Sequence, residues 1–155
     1  MNNTFTRGFT LVELIAVLVI VALISAVGRS LFFEVDVFRQ RGFFEETLSA
    51  VRYAQKLAVA SGCPVRVQTT VTGFTLFRSA NVAACAGGPY NTPIADPSGG
   101  AATFTRTAPD GVVVDAQSII FAADGTVNMA PPTLDVSVGG RQFRVHRDTG
   151  FVERR

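Results

Sequence analysis

A carboxylate stands inside an apolar run near the amino terminus. Arg7-Gly8 is followed directly by Phe9-Thr10-Leu11-Val12-Glu13, and then no charged residue occurs from 14 to 28. At the centre of a membrane helix an acid costs about 2.5–3.5 kcal/mol on insertion scales, so a carboxylate in such a run needs a partner and marks a functional site. Spacing names the partner. A cut after Gly8 would put a new α-ammonium on Phe9, four residues before Glu13 and on the same helix face. The two charges can neutralise each other within one chain. Between chains packed side by side, the same pairing would fix their axial register.

Other reactive side chains are few. Cys63 and Cys85 both follow the apolar run, and in an exported segment they are expected to pair. Closing a loop of about 23 residues would stabilise the fold by about 3 kcal/mol in the chain-entropy account. Two free buried thiols are the alternative; a structural zinc set needs more ligands than one histidine adds. That histidine, His146, would share a strand face with Arg144 and Gln142, without an oriented base or nucleophile beside it. There is no G-x-S-x-G elbow, phosphate-cradling glycine loop or H-E-x-x-H pair. Asp96, Asp110, Asp115 and Asp124 fall in turn-rich stretches without the spacing of an EF-hand loop. No catalytic residue, metal or cofactor is therefore expected.

Charge points weakly to one other class of partner. The balance is 14 basic against 12 acidic residues, a net +2, which does not describe a general polyanion binder. Yet Arg141, Arg144, Arg147, Arg154 and Arg155 crowd the carboxy terminus, where they could contact a nucleic-acid backbone without reading sequence. The competing reading is a strand edge guarded by charge.

The elements that must position these residues follow from periodicity. Residues 9–27 would make about 28 Å of helix, close to the roughly 30 Å of a bilayer core. A secretory signal peptide cut near Ala26-Val27-Gly28 is the rival, but it leaves Glu13 unexplained. Arg7 lies on one side of the run and Arg29, Arg39 and Arg41 on the other, so loop charge does not orient it. No proline occurs before Pro64, and Phe44, Leu48, Val51, Ala54 and Ala58 recur at helical spacing with Glu45, Glu46, Ser49, Arg52 and Lys56 between them. The helix is thus expected to continue to about Ala60 and stop at Gly62 and Pro64, with Gly28 and Gly42 as places for bending. Alternation from Phe33 to Val37 also fits a strand, though the flanks favour helix. Phe32, Phe33, Phe38, Phe43 and Phe44 suit either packing against neighbouring subunits or burial beneath the chain's own domain.

From residue 63 the texture is β. Val65, Val67, Thr69 and Val71 alternate, Thr72-Gly73 turns, and Phe74-Thr75-Leu76-Phe77 returns. A loop is expected over 81–100, then strands at 102–105, 111–114, 118–121, 133–138 and 141–147, the last two joined by Gly139-Gly140. The fold class is α+β: a long amino-terminal helix, transmembrane in its first half, packed against a carboxy-terminal antiparallel sheet. The expected divisions are a leader at 1–8, a membrane and assembly helix at 9–28, an amphipathic continuation at 29–62, and a β-rich domain at 63–155.

The segment Arg7-Gly8-Phe9-Thr10-Leu11-Val12-Glu13-Leu14 closely resembles the cleavage and methylation signal of type IV prepilins and type II secretion pseudopilins. Arg52-Tyr53-Ala54-Gln55-Lys56-Leu57-Ala58-Val59-Ala60-Ser61-Gly62-Cys63 resembles the class H pseudopilins and related minor pilins, most of all the minor pilin type of mannose-sensitive haemagglutinin pili. Ile120 to Gly125 and Arg144 to Gly150 sit where that group carries a glycine turn and a final strand. The resemblance implies removal of residues 1–8 by a prepilin peptidase between Gly8 and Phe9, N-methylation of Phe9, and subunit assembly through Glu13. It implies a single-pass inner-membrane protein with a periplasmic domain, whose partners are major and minor pilins or pseudopilins and which primes or caps a filament. Some relatives bind DNA through a basic carboxy-terminal stretch. Here Phe151 and Val152 follow Gly150, so the arginine of that motif is missing.

Overall fold

The structure, a computed structural model, describes residues 10–80, 85 and 88–155, with backbone alone for 26–35. One helix, α1 (Leu11–Ser61), precedes eight strands: β1 (Val65–Thr70), β2 (Gly73–Ser79), β3 (Tyr90–Pro93), β4 (Thr105–Thr107), β5 (Gln117–Phe121), β6 (Thr133–Val138), β7 (Arg141–His146) and β8 (Val152–Arg154). The chain forms two compact units that meet in sequence at Phe38 and Arg39.

The first unit is helical, and its described apolar side chains from Leu11 to Ile24 lie open. Thr10 caps the helix: its Oγ1 accepts the Glu13 backbone N–H at 3.2 Å, and its carbonyl accepts from Leu14 at 3.2 Å. Ser25 is satisfied inside the helix, donating to the Val21 carbonyl at 2.7 Å. Among the residues whose side chains are described, no helix is long and apolar enough to cross a membrane. The expectation of a span rests on the whole sequence run from 9 to 28. Gly8 and Phe9 lie outside the described residues, as do the side chains of Phe32 and Phe33. The backbone from 31 to 38 is helix, not strand.

In the unit Arg39–Arg155 the helix buries one face under two sheets. Phe43, Phe44, Leu48, Val51, Ala54 and Ala58 are all buried, while Ser49, Arg52 and Lys56 face solvent. Neighbouring phenylalanines serve different sheets: the Phe43 ring meets Phe74 of β2 at 6.0 Å, and the Phe44 ring meets Phe143 of β7 at 6.3 Å. Phe43 and Phe44 therefore belong to the chain's own core, and Phe38 is exposed. Ser61-Gly62 ends the helix, Gly62 taking the left-handed conformation at φ 66° that a C-cap requires.

The first sheet runs β3-β2-β1-β5, with β4 also paired to β2, and the second runs β6-β7-β8. Every pair is antiparallel. Alternation sets the register: Val65, Val67 and Thr69 of β1 point inward with Phe74 and Leu76 of β2 and Ile119 and Phe121 of β5. The β6–β7 hairpin turns on Gly139 and Gly140, both at positive φ, as a two-residue turn matched to strand twist requires.

Several strand expectations are corrected. The single sheet is two, because the run after Gly125 pairs only with itself apart from isolated bridges. Residues 111–114 make no strand; Val114 alone bridges Val138. The run at 102–105 shifts to β4, and Val71 sits exposed in the turn. Inside the expected loop 81–100, β3 adds to the edge of β2, and the carboxy terminus contributes β8.

Candidate functional site

Glu13 lies in the first turn of α1, where an acid complements the partial positive charge of the helix start. The Thr10 cap places this acid at the third helical position, where the Cα–Cβ bond of a helical residue tilts toward the helix start. That is the side on which Phe9 stands in the sequence.

Around the second unit the polar side chains act as fasteners. Asp96 is buried, its side chain 3% exposed, and its Oδ1 accepts from the Ser98 hydroxyl at 2.7 Å and the Ser98 N–H at 2.9 Å. Arg106 of β4 donates to Asp96 Oδ2 at 2.6 Å and to Glu46 of α1 at 2.6 Å. The Ser98 bonds first, then Arg106, pull the Asp96 carboxyl down to about 2, and the two carboxylates raise the Arg106 guanidinium. A helix, a strand and a loop are thereby joined through one guanidinium. The Asp96-Pro97-Ser98 spacing, an aspartate two residues before a serine, carried the signal of this Asx turn.

On the other sheet, Arg52 donates to the Val152 carbonyl at 2.9 Å and Gln55 to the Thr149 carbonyl at 2.9 Å. Cys63 and Cys85 form a disulfide with Cα atoms 4.9 Å apart, tying the helix end to the segment after β2.

The carboxy-terminal arginines do not converge into a free patch. Arg144 makes a two-pronged pair with Asp135 at 2.7 Å, Arg147 pairs with Asp148 at 2.8 Å, and Arg154 reaches the Glu45 carboxylate at 2.7 Å. Arg155 contributes to holding the Asp135 carboxyl below its ordinary range, after the larger effect of the Arg144 bond. Arg141 stands at the β6–β7 turn, at the far end of β7 from Arg147. His146 faces Glu153 at 3.1 Å and the Phe151 ring at 6.0 Å. Asp115 accepts the Ser137 N–H at 2.8 Å, tying the segment before β5 to β6, and Asp124 closes a turn by accepting the Thr126 N–H at 2.9 Å, while Asp110 is exposed. Among the described residues no group of three or more His, Cys, Asp or Glu is placed to hold a metal.

One cleft of about 290 Å³ opens beside the helix exit, walled by Tyr53, Leu57, Val65, Ile94 and Ala95, with Arg78 at its wall. Sequence periodicity did not reveal it, since its lining comes from the helix end, two strands and the residues after β3.

Two solved structures share the fold. The minor pseudopilin EpsH of the Vibrio cholerae type 2 secretion system matches with a TM-score of 0.50 and 18% identity, covering 72% of this chain and 91% of that one. The type IV minor pilin FimU of Pseudomonas aeruginosa matches with a TM-score of 0.50 and 13% identity, covering 74% and 87%. No curated protein sequence matches the chain. The prokaryotic N-terminal methylation motif covers residues 5–28. These are structural pilin and pseudopilin subunits, not enzymes. Residues 44–149, which carry most of the buried helix face, strands β1 to β7 and the Gly139-Gly140 turn, match the model of the Type II transport protein GspH, and the chain belongs to that family.

Proposed function

We propose that the chain is a minor pilin or pseudopilin subunit that helps to initiate or cap a type IV pilus or a type II secretion pseudopilus. In this reading a prepilin peptidase cuts between Gly8 and Phe9, and Phe9 is N-methylated. Residues 9–28 hold the subunit in the inner membrane with residues 63–155 in the periplasm. Glu13 then pairs with a Phe9 ammonium during assembly with other major and minor subunits. The observation that carries the reading is the coincidence of the methylation motif at 5–28 with an acid in the first, Thr10-capped turn of an open apolar helix. Within the family, the stretch from Arg52 to Cys63 supports a place beside the minor pilins of mannose-sensitive haemagglutinin pili.

Mass spectrometry of the mature amino terminus tests the proposal. A chain beginning at methylated Phe9 is expected; one beginning at Val27 or Arg29 would replace it with a cleaved signal peptide. Nucleic-acid binding has less support, because carboxylates already engage Arg144, Arg147 and Arg154. Arg144 stands on the central strand β7 between Asp135 and Glu153, while Arg154 lies on the edge strand β8, where we assign its charge to discouraging edge-to-edge pairing.

A further inference from the structure

The cleft beside the helix exit has the composition of a recognition site. Leu57, Val65 and Ile94 supply apolar walls, and Ala95 is exposed at its rim. Of the residues that line it, Arg78 alone carries a charge, and neither its guanidinium nor the Tyr53 hydroxyl has a hydrogen-bond or ion-pair partner among the described residues. A mostly apolar hollow with a few polar groups at its wall is the usual form of a binding site. At about 290 Å³ it lies at the small end of such sites, sized for one or two side chains rather than an acyl chain. Its position also matters: it opens at the carboxy-terminal end of α1, away from the end where Gln40 packs on the Gly139 turn.

We propose that this cleft docks a neighbouring filament subunit by taking an aliphatic side chain against Leu57, Val65 and Ile94 while an adjacent Asp or Glu carboxylate meets Arg78 and the Tyr53 hydroxyl. Charge complementarity carries the choice of occupant. A guanidinium offers a fork that a carboxylate fills two-pronged, and the apolar walls add specificity for its neighbour. The inference rests on the filament-subunit reading given above.

Photo-crosslinking of the full chain in filament-assembling cells tests it, with p-benzoylphenylalanine in place of the rim residue Ala95. The expected product joins this chain to another protein bearing a prepilin-type signal, through a peptide in which Asp or Glu adjoins an aliphatic residue. Its yield should fall about tenfold or more in Arg78→Glu, where attraction becomes repulsion, and recover in part with Arg78→Lys. Equal yield in Arg78→Glu, a product with lipid, a product with a second copy of this chain, or no product would each overturn the proposal. The mature amino terminus is measured in the same samples. If it is methylated Phe9 and the crosslink fails, the cleft assignment alone is lost; a different terminus removes the filament reading instead. Formation of the Cys63–Cys85 disulfide verifies that each variant folds.

Discussion

Asp96 shows how a single carboxylate can close a fold. Its two oxygens are divided between a local turn, made with Ser98, and a distant guanidinium, Arg106, which also holds Glu46 on the helix. Burial raises the cost of leaving such an acid unpaired, so each bond has a consequence when it is removed. The folded-state carboxyl sits at about 2, below its ordinary 3.8. A depressed acid contributes stability that is present above the unfolded value and lost as pH falls through the folded one. The contribution of Asp96 is therefore expected to be full above about pH 4 and to disappear towards pH 2. Thermal unfolding of the full chain in detergent should show the wild type losing melting temperature across that window. Asp96→Asn should be less stable at pH 6 and should lose less on acidification. Some acid sensitivity will persist, because Asp124, Asp135 and Asp148 are also lowered, by Thr126, Arg144 and Arg147 respectively. An Asp96→Asn profile parallel to the wild type would remove the carboxylate from the account.

Between elements, close backbone approach does what side-chain bonds do elsewhere. Gly150, in the turn before β8, has φ 60°, and a Cβ there would fall on the Gly125 carbonyl oxygen and crowd Gln55 of α1. Gly125 in turn lies against Val59, so the helix, the turn after β5 and the turn before β8 meet through two glycines. Gly140 has a similar φ of 78° but open space around its Cβ position. Gly140→Ala should cost only the left-handed penalty, about 1–2 kcal/mol, whereas Gly150→Ala should cost clearly more, about 3 kcal/mol or beyond, because backbone must also move. Denaturant unfolding of both variants checks the difference; equal costs would mean that the junction can open without loss. The same contrast explains what was legible in the sequence. Gly139-Gly140 announces itself because a hairpin turn is local, and Phe44, Leu48, Val51, Ala54 and Ala58 announce a buried face because helical period is local too. Strand β3 does not, since Tyr90-Asn91-Thr92-Pro93 has proline and asparagine and is extended only because β2 offers an edge. Residues 111–114 fail in the opposite way: valines suggest a strand, but Gly111 at φ 79° turns the chain and leaves Val114 alone to bridge β6. The Asp96 network and the Arg78 cleft depend on partners far apart in sequence, which periodicity does not register.

At the scale of the whole molecule, the two units divide what the chain must do. Residues 39–155 bury a core of their own and fasten it by ion pairs and a disulfide. The amino-terminal helix instead exposes its apolar side chains and carries its acid at the capped first turn. Removing that acid separates insertion from assembly. Glu13→Val lowers the cost of placing the segment in lipid by about 2.5–3.5 kcal/mol if it reaches the bilayer centre, and by less nearer the interface, so membrane fractionation should be unchanged or better. In the filament reading, however, the Phe9 ammonium of each mature subunit would lose its counter-charge. A pair formed across two chains is also what aligns them, so its loss should leave subunits in the membrane without correct register. The expected result is normal abundance in the membrane fraction with about tenfold or greater depletion from sheared filaments or pseudopili. Incorporation at the wild-type level would show that helix packing alone sets the register. Loss from the membrane fraction would show that the acid serves insertion instead.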